Sequence, residues 1–123
     1  MKILLLSDER IRLEGTPGPL TIESEQPDAQ YSPFHMLASA LATCVLSVLG
    51  SWADHAKLET SSLAIEVGWR FAEKPHRVGT LDVKLIWPQL PPERRSAAER
   101  AAHLCAIHNT LLNTPTVLTE IAT

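Results

Sequence analysis

The residues of this chain best suited to chemistry gather around its two cysteines, Cys44 and Cys105. A thiolate can attack the O–O bond of a peroxide and become a sulfenic acid, which a second nearby thiol then converts to a disulfide. That sequence of events needs a thiol of lowered pKa, a resolving cysteine, and an apolar pocket if the peroxide is organic. A cation beside the sulfur provides the first requirement. Three residues are candidates: Arg10 and Arg12 near the N-terminus, and His108, one helical turn after Cys105. A plainer use of the same residues stands beside this one. Free cysteine is among the most buried residue types and packs as a small hydrophobe, and a histidine on an apolar face is often a packing residue.

Other chemistries find less support. The segment "HLCAIH" places His103, Cys105 and His108 close together. Spacings of two and three with no CxxC partner match no structural zinc pattern, and on a continuous helix His103 and Cys105 point to different sides. No metal site and no cofactor is expected. A Gly-rich phosphate loop and a GxSxG elbow are both missing, so nucleotide and serine-hydrolase chemistry have no foothold.

The elements that must position the cysteines can be read from patterning. "MKILLL", "RIRLEG" and "LTIESE" read as short strands, with "TPGP" a turn. Ser32 then serves as a helix N-cap with Pro33 in the first helical position. The helix that follows, through "SPFHMLASALATCVLSVLGSW", is apolar on nearly every side, which predicts enclosure by sheet or by a partner subunit. "SLAIEVGWRF" and "TLDVKLIW" alternate strictly, with Leu63, Ile65, Val67, Trp69 and Phe71 on one face of the first and Leu81, Val83, Leu85 and Trp87 on one face of the second. The link "AEKPHRVG" joins them as an antiparallel hairpin. Pro91 and Pro92 introduce a second helix to about Leu112, with an apolar stripe of Ala97, Ala101, Leu104, Cys105, His108 and Leu111. "TPTVLTEIAT" suggests a last strand. The expected class is α+β, antiparallel strands packed around two helices, the first buried centrally.

Composition narrows the function classes. With 45% apolar and 20% charged residues, the chain is too apolar to be disordered. A net charge of −3 with scattered Lys and Arg argues against nucleic acid as the partner. The N-terminal apolar run, Ile3 to Leu6, is shorter than the apolar region of a signal peptide, and the run from Met36 to Leu49 is short for a bilayer and broken by Ser39, Thr43 and Ser47. A soluble, cytoplasmic protein without membrane contact is expected, and there two cysteines are either inert core residues or a redox pair.

"SPFHMLASALATC", a proline-led opening of a small-residue helix with a cysteine eleven positions after the proline, resembles the OsmC/Ohr family, the osmotically inducible and organic hydroperoxide resistance proteins. "AAHLCAIHNTL" resembles the family's later helix with its own cysteine. The order of elements and the separation of Cys44 from Cys105 agree, so the resemblance covers essentially the whole chain as one OsmC-like domain, residues 1–123. It implies an intertwined homodimer whose central helices are enclosed by sheets from both subunits. It also implies a thiol peroxidase site at the subunit interface, with Cys44 attacking the peroxide, Cys105 resolving, and an arginine, Arg10 or Arg12, activating the thiol. The peroxidase branches carry a glutamate directly after the proline, paired with that arginine. Here the position is Phe34, followed by His35, which lies on the opposite side of an ideal helix from Cys44. Proline usually follows the second cysteine, and here Ala106 does.

Three readings follow. The first is a peroxidase reducing small organic hydroperoxides to alcohols, recycled by a dithiol reductant, lipoyl-type dithiols being candidates. The second is a non-catalytic dimer of the same fold, binding an apolar small ligand where the peroxide would sit, as Phe34 in place of the glutamate suggests. The third is a structural protein whose cysteines only pack.

Overall fold

The computed structural model describes residues 32–123 and, before them, the backbone of three strands at residues 2–7, 10–14 and 22–24. The chain divides into two compact units, Met1–Leu37 and Ala38–Thr123.

In the first unit, β1 (Lys2–Ser7), β2 (Arg10–Glu14) and β3 (Ile22–Ser24) form an antiparallel sheet in the order β1-β2-β3. These are the three strands expected from the sequence. Leu4 pairs with Arg12 and Ile11 with Ser24, and the register shifts between Leu5 and Ser7. The expected "TPGP" turn lies outside the described residues, as do the side chains of Arg10 and Arg12. This unit also holds the start of α1 (Pro33–His55). Ser32 caps it: the His35 N–H donates to Ser32 Oγ at 3.3 Å, and His35 Nδ1 reaches back to Ser32 Oγ at 2.8 Å and to the Ser32 N–H at 3.3 Å. The reciprocal arrangement is a capping box with histidine in the place usually held by Glu or Gln.

The second unit contains the remainder of α1, the hairpin, and the C-terminal helices. Ala38, Leu41, Val45, Leu49 and Ala53 are buried at helical spacing along one face of α1. The outward apolar residues remain accessible in the single chain, Leu46 being 45% exposed. By length and composition α1 could cross a membrane, but its buried stripe is the core of this unit, as in the central helix of a globular domain. The helix ends in a Schellman motif without glycine. Lys57 adopts φ 57°, its N–H bonds to Asp54 O at 3.2 Å, and Leu58 N–H bonds to Ala53 O at 2.8 Å.

Strands β4 (Ala64–Ala72) and β5 (Arg77–Ile86) form the expected antiparallel hairpin. The pairs Ile65–Leu85, Val67–Val83 and Trp69–Leu81 are in register, so the alternating apolar sets share one face. Arg70 pairs with Thr80 but Phe71 with Val78, leaving Gly79 as the extra residue of a bulge. A Cβ on Gly79 would stand 2.6 Å from the Ala72 Cβ, which is why the position carries none. At the base of the hairpin, Trp87 is buried, packs edge-on against Trp52 at 6.2 Å, and donates its indole N–H to Glu59 O at 2.9 Å.

The expected second helix is two helices. After a short 3₁₀ turn at Pro92–Arg94, α2 spans Arg95–Ala102 and α3 spans Ala106–Leu112. Cys105 breaks the run: at φ −60°, ψ 127° it is extended, and it becomes the N-cap of α3. The buried stripe is consequently Ala98, Ala101, Ala102 and Cys105, while Leu104, expected on it, is 73% exposed. The tail departs from expectation too. Residues 114–123 form no strand and leave Val117, Leu118 and Ile121 over four-fifths exposed, because no strand edge among the described residues pairs with them. The architecture is α+β, with three helices and antiparallel sheets.

Candidate functional site

Cys44 and Cys105 meet. Cys44 lies on α1 beside the buried stripe, half-buried and packed against the cluster of Leu41, Val45, Ala98, Ala102 and Cys105. Cys105 is fully buried at the start of α3. Both are free thiols.

The surroundings push the two thiols in opposite directions. Cys44 is lowered below the ordinary thiol range, first by a hydrogen bond from the Cys105 thiol, then by the Ile107 amide and, more weakly, the Ala106 amide; partial burial opposes them. Cys105 is raised, first by burial and then by its role as donor to Cys44, although the His108 and Ile107 amides pull the other way. Of these amides, the His108 N–H donates to Cys105 Sγ at 3.3 Å. The donors at the start of α3 exist because Cys105 breaks the helix: the first N–H groups of a helix have no intrahelical partner and are free to bind an electron-rich atom. The two thiols are thus pushed apart, Cys44 down and Cys105 up. A low-pKa thiolate is the nucleophile of thiol chemistry, and a protonated neighbour is what a resolving cysteine is before it acts.

Arg10 lies on β2, and its side chain, like that of Arg12, is outside the described residues; among the described residues the groups that lower Cys44 are the Cys105 thiol and the Ile107 and Ala106 amides. No sequence signal marked them, because cysteine is not among the preferred N-cap residues and amides have no residue type. His35 is occupied in the α1 capping box. Phe34 stands in the first turn of the same helix.

His103 and His108 stack at 4.8 Å and 5° between ring planes. On an unbroken helix they would sit five residues apart and diverge; the break at Cys105 turns them face to face. No group of three or more His, Cys, Asp or Glu able to hold a metal occurs among the described residues. Beside the thiols, α1, β5, α2 and α3 enclose a groove of about 720 Å³, lined by Leu41, Val45, Leu81, Leu85 and both histidines. Neither sulfur lines it.

Comparison with known proteins agrees with the fold. The family model of OsmC-like proteins matches residues 26–120. No curated protein matches the chain in sequence. Among solved structures, one similar fold is a Psychrobacter arcticus 273-4 protein named for osmotic stress induction and a detoxification response, with TM-score 0.77 and 21% identity over 89% of this chain and 85% of that one. Another is an OsmC-like hydroperoxide resistance protein of Jannaschia sp. CCS1, with TM-score 0.62 and 18% identity over 98% of this chain and 89% of that one. At these identities the likeness is one of fold.

Proposed function

The chain belongs to the OsmC-like protein family, and from that premise we propose that it is a thiol-dependent peroxidase that reduces organic hydroperoxides. The observation that carries this reading is the packing of the half-buried Cys44 against the buried cluster that contains Cys105, both of them free thiols, in surroundings that lower Cys44 and raise Cys105. In the first step the Cys44 thiolate attacks the distal peroxide oxygen. The S–O bond forms, the O–O bond breaks, and the alcohol leaves with a proton. Cys105 then displaces hydroxide from the sulfenic acid, closing a Cys44–Cys105 disulfide and releasing water. A dithiol of the lipoyl type reopens that disulfide by exchange. The solved relative from Jannaschia is named for hydroperoxide resistance, which supports the choice of substrate.

A homodimer forms part of the same proposal. Leu46, Leu104, Leu112, Val117, Leu118 and Ile121 are all more than two-fifths exposed in the single chain, more apolar surface than isolated chains usually leave to water. A second subunit would cover it and would shelter the site.

The experiment is peroxide consumption with cumene hydroperoxide and a lipoyl dithiol, comparing the wild type with Cys44→Ser and Cys105→Ser. The proposal expects Cys44→Ser to abolish consumption and Cys105→Ser to stall after one turnover. Consumption unchanged in Cys44→Ser would reject it. Co-purification of an apolar ligand with an inert Cys44 would point instead to the non-catalytic reading.

A further inference from the structure

The tail and the hairpin each lack what the other has. Residues 114–123 carry the composition of a strand but form none, and Val117, Leu118 and Ile121 are 82%, 89% and 90% exposed. Strand β5 has the opposite deficit. Its sheet holds only β4 and β5, so among the described residues the edge of β5 away from β4 has no strand beside it. An open edge presents a row of unpaired N–H and C=O groups, a ready template for a further strand. The groove runs along that edge. Its lining takes β5 from Val78 to Leu85 with only Asp82 missing, whereas a cavity over one face of a strand would meet every second residue. Between residues 80 and 86 the pairing with β4 is regular, the bulge lying beyond it at Gly79, so this part of the edge is uninterrupted. Helix α3 forms another wall, where Leu111 and Leu112 are 37% and 69% exposed. An extended segment in the groove would have backbone partners on one side and apolar side chains on the other.

The tail fits that place by pattern. Pro115, which has no N–H to donate, precedes the run 116–122. In that run Val117, Thr119 and Ile121 share one face of an extended chain, and Leu118 and Glu120 share the other. Strand β5 alternates in the same way, with Leu81, Val83 and Leu85 on its apolar face and Thr80, Asp82 and Lys84 on its polar one. Setting Val117 and Ile121 on the apolar side brings Glu120 to the side of Lys84. Among the described residues neither of these two charges has an ion pair, while the neighbouring Asp82 is already held by Arg70 at 3.2 Å. Glu99, the groove's other charge, stands on α2 rather than on the sheet. The tail follows α3 directly, yet its apolar residues stay out in water rather than in the groove of their own chain.

We propose that the tail of each subunit lies as an added strand on the free edge of β5 in a second copy of the chain, residues 116–122 of one alongside residues 80–86 of the other. The inference rests on the homodimer of the peroxidase reading and names one of its contacts. Each copy offers one edge and one tail, so a two-fold exchange closes with neither left over. Backbone pairing holds the added strand, and the alternating side chains fix which face it turns inward. Glu120 of one copy then stands beside Lys84 of the other, and the exposed apolar residues of tail and groove cover one another.

The test is amide hydrogen exchange of the whole chain read by mass spectrometry, with light scattering for the oligomeric state and cumene hydroperoxide consumption on the same sample. The expected result is a dimer in which the amides of residues 116–122 and of β5 are protected together. Val117→Asp and Ile121→Asp, which lie outside the core of the single chain, should each speed exchange in both segments at least about tenfold. Leu118→Asp, on the opposite face, should leave it within about twofold. Lys84→Glu and Glu120→Lys should each speed it about fivefold. Mixed and allowed to exchange subunits, these two variants should regain protection, because a mixed dimer holds one native and one reversed charge pair, both attractive. Recovery in the double variant but not in the mixture would place the tail on its own chain and overturn the proposal. A chain that stays monomeric overturns it, and so does a dimer whose tail exchanges as fast as free chain, even with β5 protected by another segment. A protected tail that recovers on mixing, in a protein that consumes no peroxide, would sink the peroxidase reading and leave the exchange of tails standing; turnover by a dimer with an unprotected tail would do the reverse.

Discussion

Replacing Cys105 by alanine removes the strongest donor to Cys44 and leaves two weaker ones, the amides of Ile107 and Ala106. A hydrogen bond to a charged acceptor contributes about 1.5–3 kcal/mol when sheltered. Cys44 is only half-buried, and water takes over part of the lost interaction, which reduces the figure to about 1 kcal/mol. The Cys44 midpoint should therefore rise, and about 1.4 kcal/mol corresponds to a factor of ten in the thiolate population. Where the thiolate is the minor form, its population and the rate of alkylation then fall about fivefold. The direction follows from the sign of the perturbation. Native Cys44 is lowered, so loss of a donor moves it up towards the ordinary thiol range, and the two remaining amides keep it from arriving there. Cys105→Ser retains a donating hydroxyl and should recover most of the wild-type rate. The assay is alkylation by iodoacetamide across pH, with peptide mapping to place the label; in Cys105→Ala only one thiol is present, so the profile has one origin. A midpoint that stays put or moves down would refute the reasoning, and so would a serine variant that behaves like alanine. The same alanine variant should lose about 1–2 kcal/mol of stability to the small cavity left at a fully buried position.

Further outcomes follow from the fold. Ala106→Pro places proline at the first position of α3, where its ring is accommodated, and removes the weakest amide donor to Cys44; the fold should persist, with an upward shift smaller than that of Cys105→Ala and alkylation slowed about twofold. Lys57→Gly relieves a left-handed residue at the end of α1 and should stabilise the protein by about 0.5–1 kcal/mol in urea unfolding. Gly79→Ala drives a methyl group into the Ala72 Cβ and should destabilise it by about 1–3 kcal/mol; an unchanged midpoint would mean that the bulge relaxes freely.

Local rules made much of this molecule legible. Ser32 and Pro33 announced the start of α1, and strict alternation revealed the face shared by Ile65, Val67, Val83 and Leu85, because one buried face forces period two. The break at Cys105 was hidden for a definite reason. Ala98, Ala101 and Cys105 keep a helical spacing straight through it, so periodicity continues where the backbone does not, and a cysteine N-cap sends no compositional signal. The activating amides and the stacking of His103 on His108 both depend on that break and were invisible with it. The tail "TPTVLTEIAT" carries the composition of a strand, but a strand needs an edge to pair with, and that is a property of neighbours rather than of the segment. The activating cation sought among side chains, Arg10 or Arg12, lies outside the described residues, and the groups that lower Cys44 among the described ones, backbone amides and the second thiol, carry no sequence signal.

The central claim is that Cys44 and Cys105 form a working pair. Its most direct test is intact mass with non-reducing peptide mapping after brief exposure to cumene hydroperoxide, with hydrogen peroxide in parallel. The account predicts a Cys44–Cys105 disulfide that forms rapidly, and faster with the organic peroxide. Thiols that stay free, or a Cys44 that overoxidises while Cys105 remains reduced, would contradict it.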